Sequence, residues 1–245
     1  MSANKKNKLK VLISISLIFV LFIGIFFLYT SDYYRADHES IQTFISESDV
    51  KKRKLYDGAF VYEINEGSEV GFIFYPGGKV EFTSYEPLMY ELAMNGVTCV
   101  LVEMPFNLAF FNVNAASKVL DYFPNIKSWY IGGHSLGGSI AATFTVSNLD
   151  KIDGLVLLGS YSMSDFRNTD LKVLSIYGSE DRVMNMDNYE KYKNNLGDFL
   201  EVVIEGGCHG YFGMYGMQED DGTPTITAAQ QIVLTANYIN DFIFK

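Results

Sequence analysis

The sequence predicts an α/β domain, a mostly parallel sheet with helices on both faces and no large cap domain. Three observations predict it. From Val97 onward, short continuous apolar runs alternate with segments of helical periodicity. That is the pattern of strands buried on both sides and joined by covering helices. Gly133-His134-Ser135-Leu136-Gly137 lies between one such run and a helix rich in small residues, the setting of a tight strand-to-helix turn that carries a nucleophilic serine. The stretch between the runs ending near Gly159 and starting near Leu171 is too short to hold a further domain.

The first thirty residues stand apart. Lys5, Lys6, Lys8 and Lys10 make residues 1–10 a basic tail, and residues 11–30, Val11 to Thr30, carry no charge. Twenty uncharged, mostly apolar residues form a helix of about 30 Å, the thickness of a bilayer's hydrocarbon core. The basic cluster is expected to stay cytoplasmic, which puts the rest of the chain outside the cell on a single-pass anchor in the cell membrane. A cleaved signal peptide would have a shorter apolar region and a small-x-small site. Leu28-Tyr29-Thr30-Ser31 offers none. Residues 31–50 read as a juxtamembrane linker with a short helix near Glu39 to Ile45, and residues 51–245 as the folded domain.

Within that domain, the runs Ala59 to Ile64 and Val70 to Tyr75 flank Asn65-Glu66-Gly67-Ser68. Apolar runs around a Gly-containing turn suggest an antiparallel entry into the sheet. Ser84 caps a helix that ends at Gly96, with Tyr85, Leu88, Met89 and Leu92 on one face. A strand at 97–102 and a helix at 115–122 follow. Then come a strand at 128–132, the helix after Ser135, strands at 154–159 and 171–177, a helix at 187–195 and a strand at 199–204. The last helix, 227–244, opens with Thr227 and Gln230 spaced as a capping box and carries an apolar stripe of Ile232, Ala236, Ile239 and Ile243.

Net charge is −10; four of the 19 basic residues and none of the 29 acidic ones fall in the first thirty, which leaves −14 for the rest. So acidic a surface argues against nucleic acid and against general adhesion to anionic lipid. Cys99 and Cys208 have no metal-ligand spacing, and the adjacent acids Glu219, Asp220 and Asp221 are poorly placed to converge on one ion. No cofactor or metal is expected. Oligomeric state is not legible.

A serine hydroxyl needs a general base, itself oriented by an acid. Of three histidines, His38 lies in the linker and His134 is locked beside the serine. His209, in Gly206-Gly207-Cys208-His209-Gly210 after a strand, is the candidate base. The acid is expected after an intervening strand, where Glu180 and Asp181 both follow Leu174 to Gly178; Asp181 is preferred by its place in the turn, with Asp165 and Asp187 weaker. Backbone N–H groups must hold the oxyanion. Leu136, first in its helix, is one candidate donor. The other comes from Tyr75-Pro76-Gly77-Gly78-Lys79, where Gly78 is favoured over its neighbours. The loops Pro105 to Phe111 and Gly210 to Pro224 are expected to wall the pocket.

From about Val70 the chain resembles the alpha/beta-hydrolase superfamily, and within it a membrane-anchored bacterial group akin to dienelactone hydrolases. The resembling stretches, in order, are Tyr75-Pro76-Gly77-Gly78-Lys79-Val80, Met104 to Ala109, Gly133-His134-Ser135-Leu136-Gly137-Gly138, Tyr177-Gly178-Ser179-Glu180-Asp181 and Gly206 to Gly213. The resemblance implies a serine hydrolase of carboxylesterase type with Ser135, Asp181 and His209 as triad, acting on a small-molecule ester-like substrate. Cys208 stands where that group tends to carry Asn. Acyl transfer by the same triad, or a non-catalytic binding module on the same fold, are the alternatives.

Overall fold

The computed structural model describes residues 3–65 and 67–245. Glu66 of the expected turn, and the first two residues of the basic tail, lie outside the described residues. The chain divides into two units, Met1–Tyr33 and Tyr34–Lys245. The first is one helix, α1 (Ala3–Ser31). Its stretch Leu12–Ser31 is long and apolar enough to cross a membrane.

The second unit begins with α2 (His38–Ile45), capped by the Asp37 carboxylate on Ser40 N–H. The sheet follows: β1 (Lys51–Tyr56), β2 (Ala59–Glu63), β3 (Val70–Tyr75), β4 (Thr98–Val102), β5 (Ser128–His134), β6 (Gly154–Leu158), β7 (Lys172–Gly178) and β8 (Phe199–Ile204). Its helices are α3 (Glu86–Met94), α4 (Ala115–Tyr122), α5 (Leu136–Val146), α6 (Met186–Tyr192) and α7 (Ala228–Phe244). The strand order is β1-β2-β4-β3-β5-β6-β7-β8. All pairs from β4 to β8 are parallel, and only β1/β2 and β2/β4 are antiparallel.

Successive residues of each central strand face opposite layers. Phe72 and Phe74 of β3 join α2, α3 and α7 through Ile41, Leu88, Leu92, Ile232 and Ile239. Ile73 and Tyr75 join α4 and α5 through Val119, Ala141 and Ala142. The capping box forms as its spacing predicts, with Gln230 N–H donating to Thr227 Oγ1 at 3.2 Å and Thr227 N–H to Gln230 Oε1 at 2.9 Å.

The expected cap is not Ser84: Tyr85 holds the N-cap position of α3, with no side-chain cap bond. The antiparallel entry forms, and two features of the sheet are not legible in the sequence. β2 and β3 do not pair; β4 lies between them, antiparallel to β2 and parallel to β3. Both run apolar because both are buried, and the turn between them reverses the chain without joining its flanks. Lys51-Lys52-Arg53-Lys54 belongs to the edge strand β1. Gly58, at φ +90°, closes its turn onto β2. Its charges are neutralised in place: Arg53 Nε donates to Glu63 at 2.9 Å, and Lys52 pairs with the buried Glu86 of α3.

Candidate active site

The candidate residues gather at the carboxyl ends of β3, β5, β6, β7 and β8, where open α/β sheets bind ligands. Ser135 sits between β5 and α5 at φ 52° and ψ −122°, a strained conformation for a residue with a side chain. The surroundings over-determine it. Its N–H donates to Leu158 O at 2.9 Å, and its carbonyl accepts from Ser160 Oγ at 2.7 Å. A Cβ on Gly133 would lie 2.5 Å from the Gly137 carbonyl carbon, and one on Gly137 would strike the carbonyl oxygens of Tyr75 and Pro76. Only glycine lets β5, α5 and the β3 loop approach this closely.

His209 and Asp181 meet. His209 Nδ1 donates to Asp181 Oδ2 at 2.8 Å, and the two side chains are 1% and 0% exposed. The other carboxylate oxygen, Oδ1, accepts from the N–H groups of Val183 and Met184 at 3.0 and 2.9 Å. The acid is therefore fixed at both oxygens. It is Asp181, not Glu180, that reaches the ring. Among the described residues the buried His209 Nε2 has no hydrogen-bond partner. No hydrogen bond joins Ser135 Oγ to it. Gly159 at φ +50° lies between the two parts: it lines the cavity beside Ser135, and a Cβ there would come within 3.0 Å of both Asp181 Oδ2 and His209 Nδ1. That cavity, about 240 Å³, is bounded by Ser135, Leu136, Tyr161, Val183 and Met184. The phenylalanines of the Pro105–Phe111 loop do not line it.

The histidine loop is clamped by two residues that sequence reading missed. Gln231 of α7, fully buried, grips the Cys208 peptide at both ends: Oε1 accepts from its N–H at 3.0 Å and Nε2 donates to its carbonyl at 2.8 Å. The Asp221 carboxylate accepts from the N–H groups of His209 and Gly210 at 3.1 and 2.8 Å. The acidic triplet thus works through one member as a backbone acceptor. Among the described residues no three His, Cys, Asp or Glu side chains converge as metal ligands would. Cys99 and Cys208 are free and buried, and burial pushes the Cys208 thiol up to about 12.

In the loop after β3, Gly77 N–H donates to Tyr85 Oη at 3.1 Å and Lys79 N–H to Asn107 O at 2.8 Å. Among the described residues, the N–H groups of Gly78 and Leu136 have no acceptor. The two residues are neighbours, since a Cβ on Gly78 would lie 3.3 Å from Leu136 Cβ.

His134 lies beneath His209, ring centroids 4.4 Å apart, with Nδ1 2.8 Å from Tyr85 Oη. The Tyr85 hydroxyl accepts from Gly77 N–H and shares a hydrogen bond with His134 Nδ1. Burial, and then the nearby His209, hold the His134 imidazole well below its ordinary value. The unfolded chain therefore takes up this proton first, near pH 6.5, and stability falls as the pH drops below that point. Between pH 7 and 5 the loss is up to about 2 kcal/mol. His134→Phe should shrink the difference between unfolding free energies measured at those pH values by that amount. An unchanged difference contradicts a neutral, buried His134.

Residues 71–233 match the model of the alpha/beta hydrolase family. No protein of curated function matches the sequence. Among solved structures, the chain is similar to a predicted CIB-like hydrolase from Thermoplasma acidophilum, with 13% identity over 78% of this chain and 98% of that one, at a TM-score of 0.56. It is similar also to a Pyrobaculum calidifontis esterase, with 15% identity, coverage of 84% and 91%, and a TM-score of 0.58. At such identities the likeness speaks for the fold, and the matched model spans most of the domain. The chain belongs to the alpha/beta hydrolase family.

Proposed function

We propose that this hydrolase is a carboxylesterase-type enzyme with Ser135 as nucleophile, His209 as base and Asp181 as the orienting acid. The observation that carries the reading is the buried Asp181–His209 pair, whose Nε2 has no partner and which packs against Gly159, a wall of the cavity that holds Ser135 on its strained elbow. With Nδ1–H committed to Asp181, Nε2 carries the lone pair. It takes the Ser135 proton as Oγ attacks the carbonyl carbon. The Gly78 and Leu136 N–H groups, the second at a helix N-terminus, take the developing oxyanion. The leaving alcohol then receives the proton from Nε2, and an acyl-enzyme remains. Water repeats the sequence and frees the acid. Catalytic hydrogen bonds often tighten only when substrate binds, so a serine not yet bonded to the ring is compatible with this role.

The name of the Pyrobaculum neighbour, an esterase, supports an ester rather than another acyl substrate. The basic tail and Leu12–Ser31 support a single-pass anchor with the hydrolase unit, from about residue 51, outside the cell. The test is hydrolysis of 4-nitrophenyl acetate and butyrate by the full chain and by His209→Ala. Turnover lost in the variant supports the reading. Wild-type labelling by a fluorophosphonate without turnover points to acyl transfer, and neither labelling nor turnover to a binding module. Gly159→Ala should lower kcat about 10- to 100-fold, because it presses on the acid–base pair and misplacement near 1 Å costs about that much. Unchanged kinetics would show that the placement of the pair does not matter.

A further inference from the structure

Phe106, Phe110 and Phe111 are 44%, 49% and 46% exposed and form one cluster, with ring centroids 5.4 Å apart for Phe106–Phe111 and 4.4 Å for Phe110–Phe111. Fully burying one such side chain is worth about 1.5–3 kcal/mol, and a contiguous exposed apolar patch marks an interaction surface. The loop that carries them is not loose. Lys79 N–H donates to Asn107 O, and Phe106 and Asn107 are held at φ 57° and 56°. Leu108 is buried, and its Cδ2 would lie 3.8 Å from a Cβ on Gly78. The backbone thus holds three phenylalanines outward beside the candidate oxyanion loop.

A second observation says what covers them. The second unit starts at Tyr34, whose N–H donates to Lys79 O at 2.8 Å and whose carbonyl accepts from Glu81 N–H at 2.9 Å. The start of the unit and the phenylalanine loop are therefore both hydrogen-bonded to Lys79, the residue after Gly78. The apolar stretch ends at Ser31, three residues before Tyr34. Three residues of fully extended chain reach about 10 Å. With Leu12–Ser31 in a bilayer, covalent connection alone keeps Tyr34 within about that distance of the end of the span. The acidic remainder of the chain gives no attraction to anionic lipid, so the contact must be apolar. Phenylalanine on a membrane-facing surface buries about 5–10 Å into the boundary between headgroups and acyl chains.

We propose that Phe106, Phe110 and Phe111 dip into the interfacial layer of the membrane that holds the anchor, and that the enzyme takes lipophilic esters dissolved in that layer. The substrate half rests on the hydrolase reading above; the contact half does not. In the full chain, reconstituted in phosphatidylcholine vesicles, Phe110→Trp adds one indole to the buried Trp129. Lipid brominated near the headgroup should quench the added emission at least about twofold. In the Phe106→Ser, Phe110→Ser, Phe111→Ser variant, the ratio of the rate on a long-chain 4-nitrophenyl ester dissolved in the vesicles to that on aqueous 4-nitrophenyl acetate should fall at least about tenfold. Quenching no greater than that of Trp129 overturns the proposal, as does an unchanged ratio, even where a fluorophosphonate still labels Ser135. Lost labelling with quenching intact instead overturns the hydrolase reading, and the substrate half with it.

Discussion

Ser135→Ala is expected to lower kcat by about 10⁴-fold or more on any ester the wild type cleaves. Neither of the other two serines that line the cavity is free to replace it. Ser139 Oγ donates to Tyr161 O at 2.6 Å, and Ser160 Oγ donates to the Ser135 carbonyl at 2.7 Å. Each is committed to a backbone carbonyl and carries no partner base. The residual rate would come from the Gly78 and Leu136 N–H groups polarising a bound carbonyl. The glycine contacts that hold the elbow do not involve the serine oxygen, so the variant should unfold within about 0.5 kcal/mol of the wild type. Steady-state kinetics beside a chemical unfolding curve checks both statements. A variant that kept a tenth of the wild-type kcat would remove Ser135 from the chemistry.

Asp181→Asn should cost about 10⁴-fold in kcat while leaving the fold intact. The geometry forces the outcome. Oδ1 accepts the N–H groups of Val183 and Met184, and Oδ2 accepts His209 Nδ1. In the amide, the remaining oxygen must stay with the two backbone donors, because an NH₂ group there would face them. The NH₂ then points at Nδ1, which must give up its proton to accept. The ring's proton moves to Nε2, the atom that has to receive the proton of Ser135. The loss should fall in kcat more than in KM, since binding does not use this pair. Kinetics with one soluble ester decides it. A loss of less than tenfold would mean that Asp181 only positions the turn.

Much of this was legible in the sequence, unevenly. The serine turn is local: strand, glycines and small-residue helix are contiguous, and sterics alone select them. His209 follows from a short inventory of three histidines. Which of Glu180 and Asp181 reaches the His209 ring depends on contacts that a linear reading does not contain. Glu180 N–H donates to Gly207 O at 2.8 Å, which ties the turn to the histidine loop and aims the next side chain at the ring. Gln231 and Asp221 were invisible for the same reason, since they act on Cys208 and His209 from 23 and 12 residues away. The missed pairing of β2 and the missed strand β1 have another cause. Apolar runs announce burial, but the neighbour of a strand is chosen by tertiary packing, and a charged edge strand pairs its charges across the sheet and against α3.

The most direct measurement is peptide mapping of the full chain after reaction with a fluorophosphonate. One phosphonyl group per chain, on the peptide that contains Ser135, with none on Ser139 or Ser160 and none in His209→Ala, is the expected result. A chain that hydrolyses esters yet carries no adduct at Ser135, or carries it equally well without the His209 imidazole, would contradict the proposed triad.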